Sequence, residues 1–209
     1  MIVEMKNKVL KLLFVGAALL LSGCATMNKE ECLSADWQLL GLTDGAKGYR
    51  LARLDEHRSA CAEYGVSPDP IAYRKGYDEG IVTYCTPANG YQQGLNGNNY
   101  YGQCPANLHD AFAKAHEQGL QRYALQSEIN ALENELYRYE DEIDQLESDI
   151  RDKEVEYLQA DEVSVRRRLL IELGRLRDDR RHLQYDLRAL ERDLSLKEHE
   201  LLALPQYHY

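Results

Sequence analysis

Residues 125–160 read LQSEINALENELYRYEDEIDQLESDIRDKEVEYLQA. Leu125, Ile129, Leu132, Leu136, Tyr139, Ile143, Leu146, Ile150, Lys153, Tyr157 and Ala160 recur at alternating steps of four and three, which is a heptad seam with polar interruptions. A second seam follows through Leu169, Leu173, Leu176, Arg180, Leu183, Leu187, Leu190, Leu194, Lys197, Leu201 and Leu204. The two are out of phase, since extending the first would reach Arg167 and Ile171 instead of Leu169 and Leu173. Such a break marks a stutter or a turn.

A turn near residues 160–164 leaves two arms of equal length, about residues 122–159 and 165–202. Charge favours pairing those arms with each other. Residues 124–160 hold 12 acidic and 3 basic groups, whereas residues 161–204 hold 10 of each, with basic clusters at Arg166–Arg168 and Arg175–Arg181. Laying the acidic arm against the Arg-rich one relieves like-charge repulsion, although an exposed ion pair contributes only ~0.2–1 kcal/mol. The expectation is a long antiparallel helical hairpin, a coiled coil, over residues 107–204, with a tail (205–209) returning to the rest of the chain. A single helix running through Asp161 would instead need a partner chain to cover its seam, and a homodimer through the coiled coil or a heteromeric bundle would follow if residues such as Leu183 or Leu190 were left uncovered.

Upstream of residue 106 the composition changes. Residues 24–106 are rich in Gly, Tyr and Cys, and a core alone is marginal at that size. Asn28 is placed to cap a short helix carrying Cys32, Ala35 and Leu39 and ending near Gly41. Asp44-Gly45 is a turn signal. A helix over about 49–64 puts Leu54, His57, Cys61 and Tyr64 on one face, and Gly65 closes it. Another is expected over 69–84, with Tyr73, Gly76, Tyr77, Gly80 and Tyr84. Gly76-Tyr77-Asp78-Glu79-Gly80 is echoed by Gly90-Tyr91-Gln92-Gln93-Gly94, and small residues four apart let a helix approach its neighbour closely. Thr86 to Gln103, TPANGYQQGLNGNNYYGQ, reads as an irregular Tyr/Gly/Asn-rich loop. The expected class is mostly α: a small stapled helical head, that loop, then the hairpin.

The whole chain has 209 residues, 44% hydrophobic and 29% charged, with net charge −10, which excludes a disordered tail, a multispan membrane protein and a broad nucleic-acid surface. At the N-terminus Lys6, Lys8 and Lys11 precede the apolar run LLFVGAALLL, residues 12–21. Ten helical residues span about 15 Å, half of a bilayer core, so residues 1–23 read as a signal peptide and not as a spanning helix. Leu21-Ser22-Gly23-Cys24 resembles the bacterial lipobox, which makes Cys24 the expected lipid attachment point. Ala25, where an Asp would retain the protein, resembles the Gram-negative pattern for transfer to the outer membrane, with the body facing the periplasm. Glu4 is unusual in a basic leader and leaves Met5 as an alternative start.

Cys32, Cys61, Cys85 and Cys104 remain, an even set in an oxidising compartment. Four thiols allow three connectivities. The pairing Cys32–Cys61 with Cys85–Cys104 closes two local loops and is the preferred one. There is no Cys-x-x-Cys pair and no spacing typical of zinc, so no metal and no cofactor is expected.

Cys32 with Ala35-Asp36-Trp37, then Gly41, Asp44-Gly45, Gly48 and Cys61, then Gly80, Tyr84-Cys85, Gly90, Gly94, Gly97 and Cys104, together resemble an uncharacterised bacterial lipoprotein family, domain of unknown function 2799. The resemblance covers roughly residues 28–104. It implies location and fold type but no activity.

Motif inspection finds no Gly-x-Ser-x-Gly, His-Glu-x-x-His, Walker loop or dinucleotide fingerprint. Asp36 and Asp44 as an acid/base pair on a sugar is outweighed by their reading as a packing residue and a turn residue. His109 and His116 lie seven apart, too far for a two-ligand metal pair on one helix. Tyr91, Asn96, Asn98, Asn99, Tyr100 and Tyr101 form the candidate binding surface, because flat amphipathic rings beside amide donors and acceptors suit a glycan or a peptide. The expected function is therefore non-enzymatic: a membrane-anchored lipoprotein whose arm docks an envelope protein. Peptidoglycan or peptide binding is the alternative, and an uncharacterised hydrolase comes after that.

Overall fold

The computed structural model describes residues 26–205. The segment read as a signal peptide, the lipobox-like stretch with Cys24, and the tail beyond Pro205 lie outside the described residues. Among the described residues seven helices follow in order: α1 (Lys29–Leu33), α2 (Trp37–Ala46), α3 (Arg53–Ala62), α4 (Pro70–Tyr84), α5 (Pro87–Leu95), α6 (Ala106–Gln159) and α7 (Val163–Ala203). No strand occurs among the described residues. The chain divides into two compact units, one running to Asn89 and including Tyr100–Ala113, the other comprising Gly90–Asn99 and the chain from Lys114 onward.

In the first unit, Asn28 and Glu31 form a reciprocal capping box that starts α1. The helix ends at Leu33 and does not continue to Gly41. Asp36 opens a new one, its carboxylate accepting from the Leu39 amide at 3.0 Å. Such a cap is worth about 1 kcal/mol, and it decides the break in favour of two helices. Asp69 caps α4 in the same way, accepting from Ile71 and Ala72, with Pro70 at the first helical position.

The expected stop at Gly41 and turn at Asp44-Gly45 are also corrected, because α2 runs through all three residues. The reason is the partner helix. A Cβ on Gly41 would stand 2.0 Å from the Tyr73 carbonyl oxygen, and one on Gly45 would stand 2.5 Å from that of Tyr77. From the other side, a Cβ on Gly76 would lie 1.8 Å from Gln38 O and one on Gly80 2.1 Å from Leu42 O. Helices α2 and α4 thus pack backbone to backbone, and only glycine at all four sites permits it.

Around this crossing lies a tyrosine-rich core of Leu54, Tyr73, Tyr77, Ile81, Cys85, Cys104 and Phe112. Buried phenols need partners. The Tyr77 hydroxyl donates to Tyr49 O at 2.7 Å, and that of Tyr100 bonds His109 Nδ1 at 2.8 Å. A smaller cluster gathers Met27, Cys32 and Cys61. Two disulfides staple the unit, Cys32–Cys61 and Cys85–Cys104, spanning 29 and 19 residues.

The stretch read as an irregular loop is helical in its first half, since α5 covers Pro87–Leu95. Its Gly94 is a contact site, whereas Gly97 forms the turn that ends the helix. In the second unit a Cβ on Gly94 would meet His116 O at 2.1 Å, and one on Gly119 would meet Tyr91 O at 2.2 Å. The helix closes with bonds from the Gly97 amide to Gly94 O and from the Asn98 amide to Gln93 O. This is a Schellman cap, with Gly97 at φ 70°.

The two units therefore contain the same packing device twice. Helix α2 also ends in a Schellman cap, Gly48 to Gly45 and Tyr49 to Asp44, with Gly48 at φ 76°. Gly48 faces the Tyr84 ring as Gly97 faces that of Tyr123. The Tyr77 hydroxyl bonds Tyr49 O just as His116 Nε2 bonds Asn98 O, each at 2.7 Å. Gly41–Gly48 thus corresponds to Gly90–Gly97, and Tyr77, Gly80 and Tyr84 to His116, Gly119 and Tyr123. The echo of Gly76–Gly80 in Gly90–Gly94 pairs the wrong halves of this device.

Also in the second unit, every seam position of α6 and α7, from Leu125 to Ala160 and from Leu169 to Leu204, is buried or half-buried. Residues 160–162 separate the helices. Ion pairs join Glu128 to Lys197 (2.7 Å), Glu147 to Arg180 (3.6 Å), Lys153 to Glu172 (4.0 Å) and Glu154 to Arg177 (2.7 Å). Positions late in α7 meet positions early among these residues of α6.

Candidate functional site

Asp44 points into the first unit from the last turn of α2 and is only 4% exposed. Its Oδ2 accepts from His57 Nε2 and from the Tyr73 hydroxyl, both at 2.7 Å, while Arg53 Nε lies 3.8 Å from Oδ1. His57 sits on the buried face of α3, 2% exposed, and its Nδ1 is 3.0 Å from the Thr26 hydroxyl. In the neutral ring Nε2–H donates to the carboxylate and Nδ1 accepts from Thr26. Three helices and the segment before α1 are tied through one carboxylate.

Burial pushes the Asp44 carboxyl up, but the hydrogen bonds from His57 and Tyr73 and the nearby charge on Arg53 outweigh it. The net effect holds the group below the usual carboxylate range. Tyr73 moves the other way: burial, then its bond to Asp44, raises the phenol far above its ordinary value. Tyr77, Tyr84 and Tyr100 are also raised, chiefly by burial.

Thr26 has a second role, since it lines an open groove of about 390 Å³ with Met27, Ser34, Ala35, Leu39 and Leu40. Hydroxyl, imidazole and carboxylate stand in the order of a nucleophilic triad. Here, however, the carboxylate is shared with Tyr73 and faced by Arg53, which suits a clamp on Thr26. Asp36 takes no part, because its carboxylate caps α2. The pairing of Asp36 with Asp44 is thus not formed.

The six candidate binding residues are divided between the units, Tyr91, Asn96, Asn98 and Asn99 in the second, Tyr100 and Tyr101 in the first. Tyr91 is buried, Tyr100 half-buried, and Asn96, Asn98, Asn99 and Tyr101 are exposed. Asn98 donates to Gln93 Oε1 at 2.8 Å, and Arg50 lies over the Tyr101 ring at 5.1 Å. His109 and His116 both fall on α6, bonded to Tyr100 and to Asn98 O. Among the described residues no group of three or more His, Cys, Asp or Glu is placed to hold a metal ion, and no helix is long and apolar enough to cross a membrane.

Sequence reading left Thr26 and Tyr73 without a role and placed His57 only on a buried face. A usable signal was there. A His and an Asp on buried faces of neighbouring helices each need a polar partner.

Residues 36–121 match the model of a family described as protein of unknown function (DUF2799). The head is similar to that family. The DUF2799 match covers less than half of the chain and ends just after Gly119, so it includes the glycines of both copies of the device and both disulfide-bonded cysteines of the 85–104 pair. Thr26 and most of α6 and α7 lie outside the DUF2799 segment. No curated protein and no solved structure matches the chain.

Proposed function

We propose that this chain is a bacterial lipoprotein, acylated at Cys24 and facing the periplasm from the outer membrane, in which the DUF2799-like head carries α6 and α7 as a partner-docking arm. The lipobox-like Leu21-Ser22-Gly23-Cys24 supports the anchor, and two disulfides suit an oxidising compartment. The arm is an antiparallel hairpin coiled coil. The reverse order of ion-pair partners along α7 and the coverage of both seams support this reading.

One observation carries the docking role. Although the seam is covered, Val155 (50%), Leu158 (77%), Val163 (73%), Leu170 (52%) and Ile171 (54%) stay exposed around residues 160–162. Large apolar side chains left outside an otherwise satisfied seam are available to a partner. No step of catalysis is assigned to the chain.

The test has two parts. Growth on a palmitate analogue labels the wild type and not Cys24→Ala. Photocrosslinking in intact cells from Leu158 or Val163 then yields a discrete adduct with an envelope protein. Absence of label refutes the anchor, and absence of an adduct refutes the arm's role.

A further inference from the structure

We infer that the groove between α1 and α2 is a membrane-contact surface, resting on the zwitterionic phospholipid leaflet that holds the Cys24 anchor. The inference rests on the lipoprotein reading above and adds to it how the head meets the bilayer.

Covalent geometry supplies the first argument. Thr26 is hydrogen-bonded to buried His57, and Met27 is 7% exposed with its sulfur 3.9 Å from Cys61 Sγ. The chain is therefore fastened to the head from Thr26 onward. Only Ala25 separates Thr26 from Cys24, so two Cα–Cα steps bridge them, a reach of at most ~7 Å. A headgroup layer is itself about 5–8 Å deep. An acylated Cys24 thus holds Thr26, and the groove it lines, at headgroup depth, because no linker is left to lift the head away.

The surface there fits lipid. Leu39 lines the groove and is 58% exposed, and Leu33, just before groove residue Ser34, is 62% exposed. Around them stand Glu30, Glu31 and Asp36 against Lys29 alone, a balance that disfavours anionic headgroups and favours zwitterionic ones. In the second copy of the glycine device the counterpart of Asp44 is Gln93, an amide whose Oε1 accepts from neighbouring Asn98.

The experiment uses the acylated protein purified from cells and reconstituted in phosphatidylcholine vesicles, with a photocrosslinking residue at Leu33, at Leu39, or at Val82, which is exposed but does not line the groove. The expected result is severalfold more lipid adduct from 33 and 39 than from 82, reduced by Thr26→Val and by adding phosphatidylglycerol. In the unsubstituted protein, Trp37, the single Trp, beside groove residue Asp36, is quenched by lipid brominated near the headgroup. An acylated protein with equal adducts at all three positions and unquenched Trp37 overturns the contact while leaving the lipoprotein reading intact. A Cys24 without lipid by mass overturns both.

Discussion

Gly76 of α4 and Gln38 of α2 touch through their backbones: a Cβ on the glycine would stand 1.8 Å from the Gln38 carbonyl oxygen. Backbone cannot yield as the end of a flexible side chain can. Gly76→Ala is therefore expected to destabilise the head by at least about 2 kcal/mol, at the upper end of overpacking costs. Gly174, in α7, has open space at the same position, and Gly174→Ala should stabilise by about 0.5–1 kcal/mol. Urea denaturation of the two variants under oxidising conditions checks the opposite signs. Equal effects would show that the close crossing of α2 and α4 does not hold.

The lowered Asp44 pKa has a consequence for acid stability. A carboxyl lowered on folding adds stability that is fully present above its unfolded value, near 3.8, and is lost as pH falls through the lower folded value. Asp44→Asn should cost about 3–5 kcal/mol at pH 7, the range for breaking a buried pair. It should also flatten the loss below pH 4 relative to the wild type. Tyr73→Phe keeps the ring and removes one donor to the carboxylate, a loss of about 1.5–3 kcal/mol. The double variant should cost less than the sum, because both act on one bond. Additive costs would separate the two residues.

Each disulfide is expected to contribute about 3–4 kcal/mol in the chain-entropy model, with the 29-residue loop a few tenths above the 19-residue one. Cys32→Ala/Cys61→Ala should also loosen Met27, which packs on that bond. Its signature is proteolysis near residue 27, and Cys85→Ala/Cys104→Ala should lack it.

In the arm, apolar seam contacts should outweigh charge. Leu173 is 2% exposed, so Leu173→Ala is expected to cost about 2–5 kcal/mol. Lys197→Gln removes an exposed pair with Glu128 and should shift the unfolding midpoint little, with an effect that vanishes in high salt. Circular dichroism melts at two salt concentrations separate these contributions.

The two long helices, α6 and α7, were legible because their information is local and repeated. A seven-residue period over eleven positions survives interruptions such as Lys153 and Arg180, and the phase shift before Leu169 marks the break at residues 160–162. The cap at Asn28 is legible for the same reason. Gly41, Asp44-Gly45 and Gly90–Gly94 misled, since glycine and aspartate interrupt helices when nothing packs on them. The Asp44–His57–Tyr73 chain was hidden by distance, its members being 13 and 29 residues apart along the chain.

Composition and periodicity alone set the helical class, the long seams and the cysteine-rich head, because each follows from neighbours a few residues away, while loop closure only favoured one of three cysteine pairings. Only the tertiary structure decided that the glycines of α2 and α5 are contact points, that the device occurs twice, and that Thr26 is clamped to a buried histidine. Those outcomes depend on which backbone approaches which, and a close approach has no local period to reveal it.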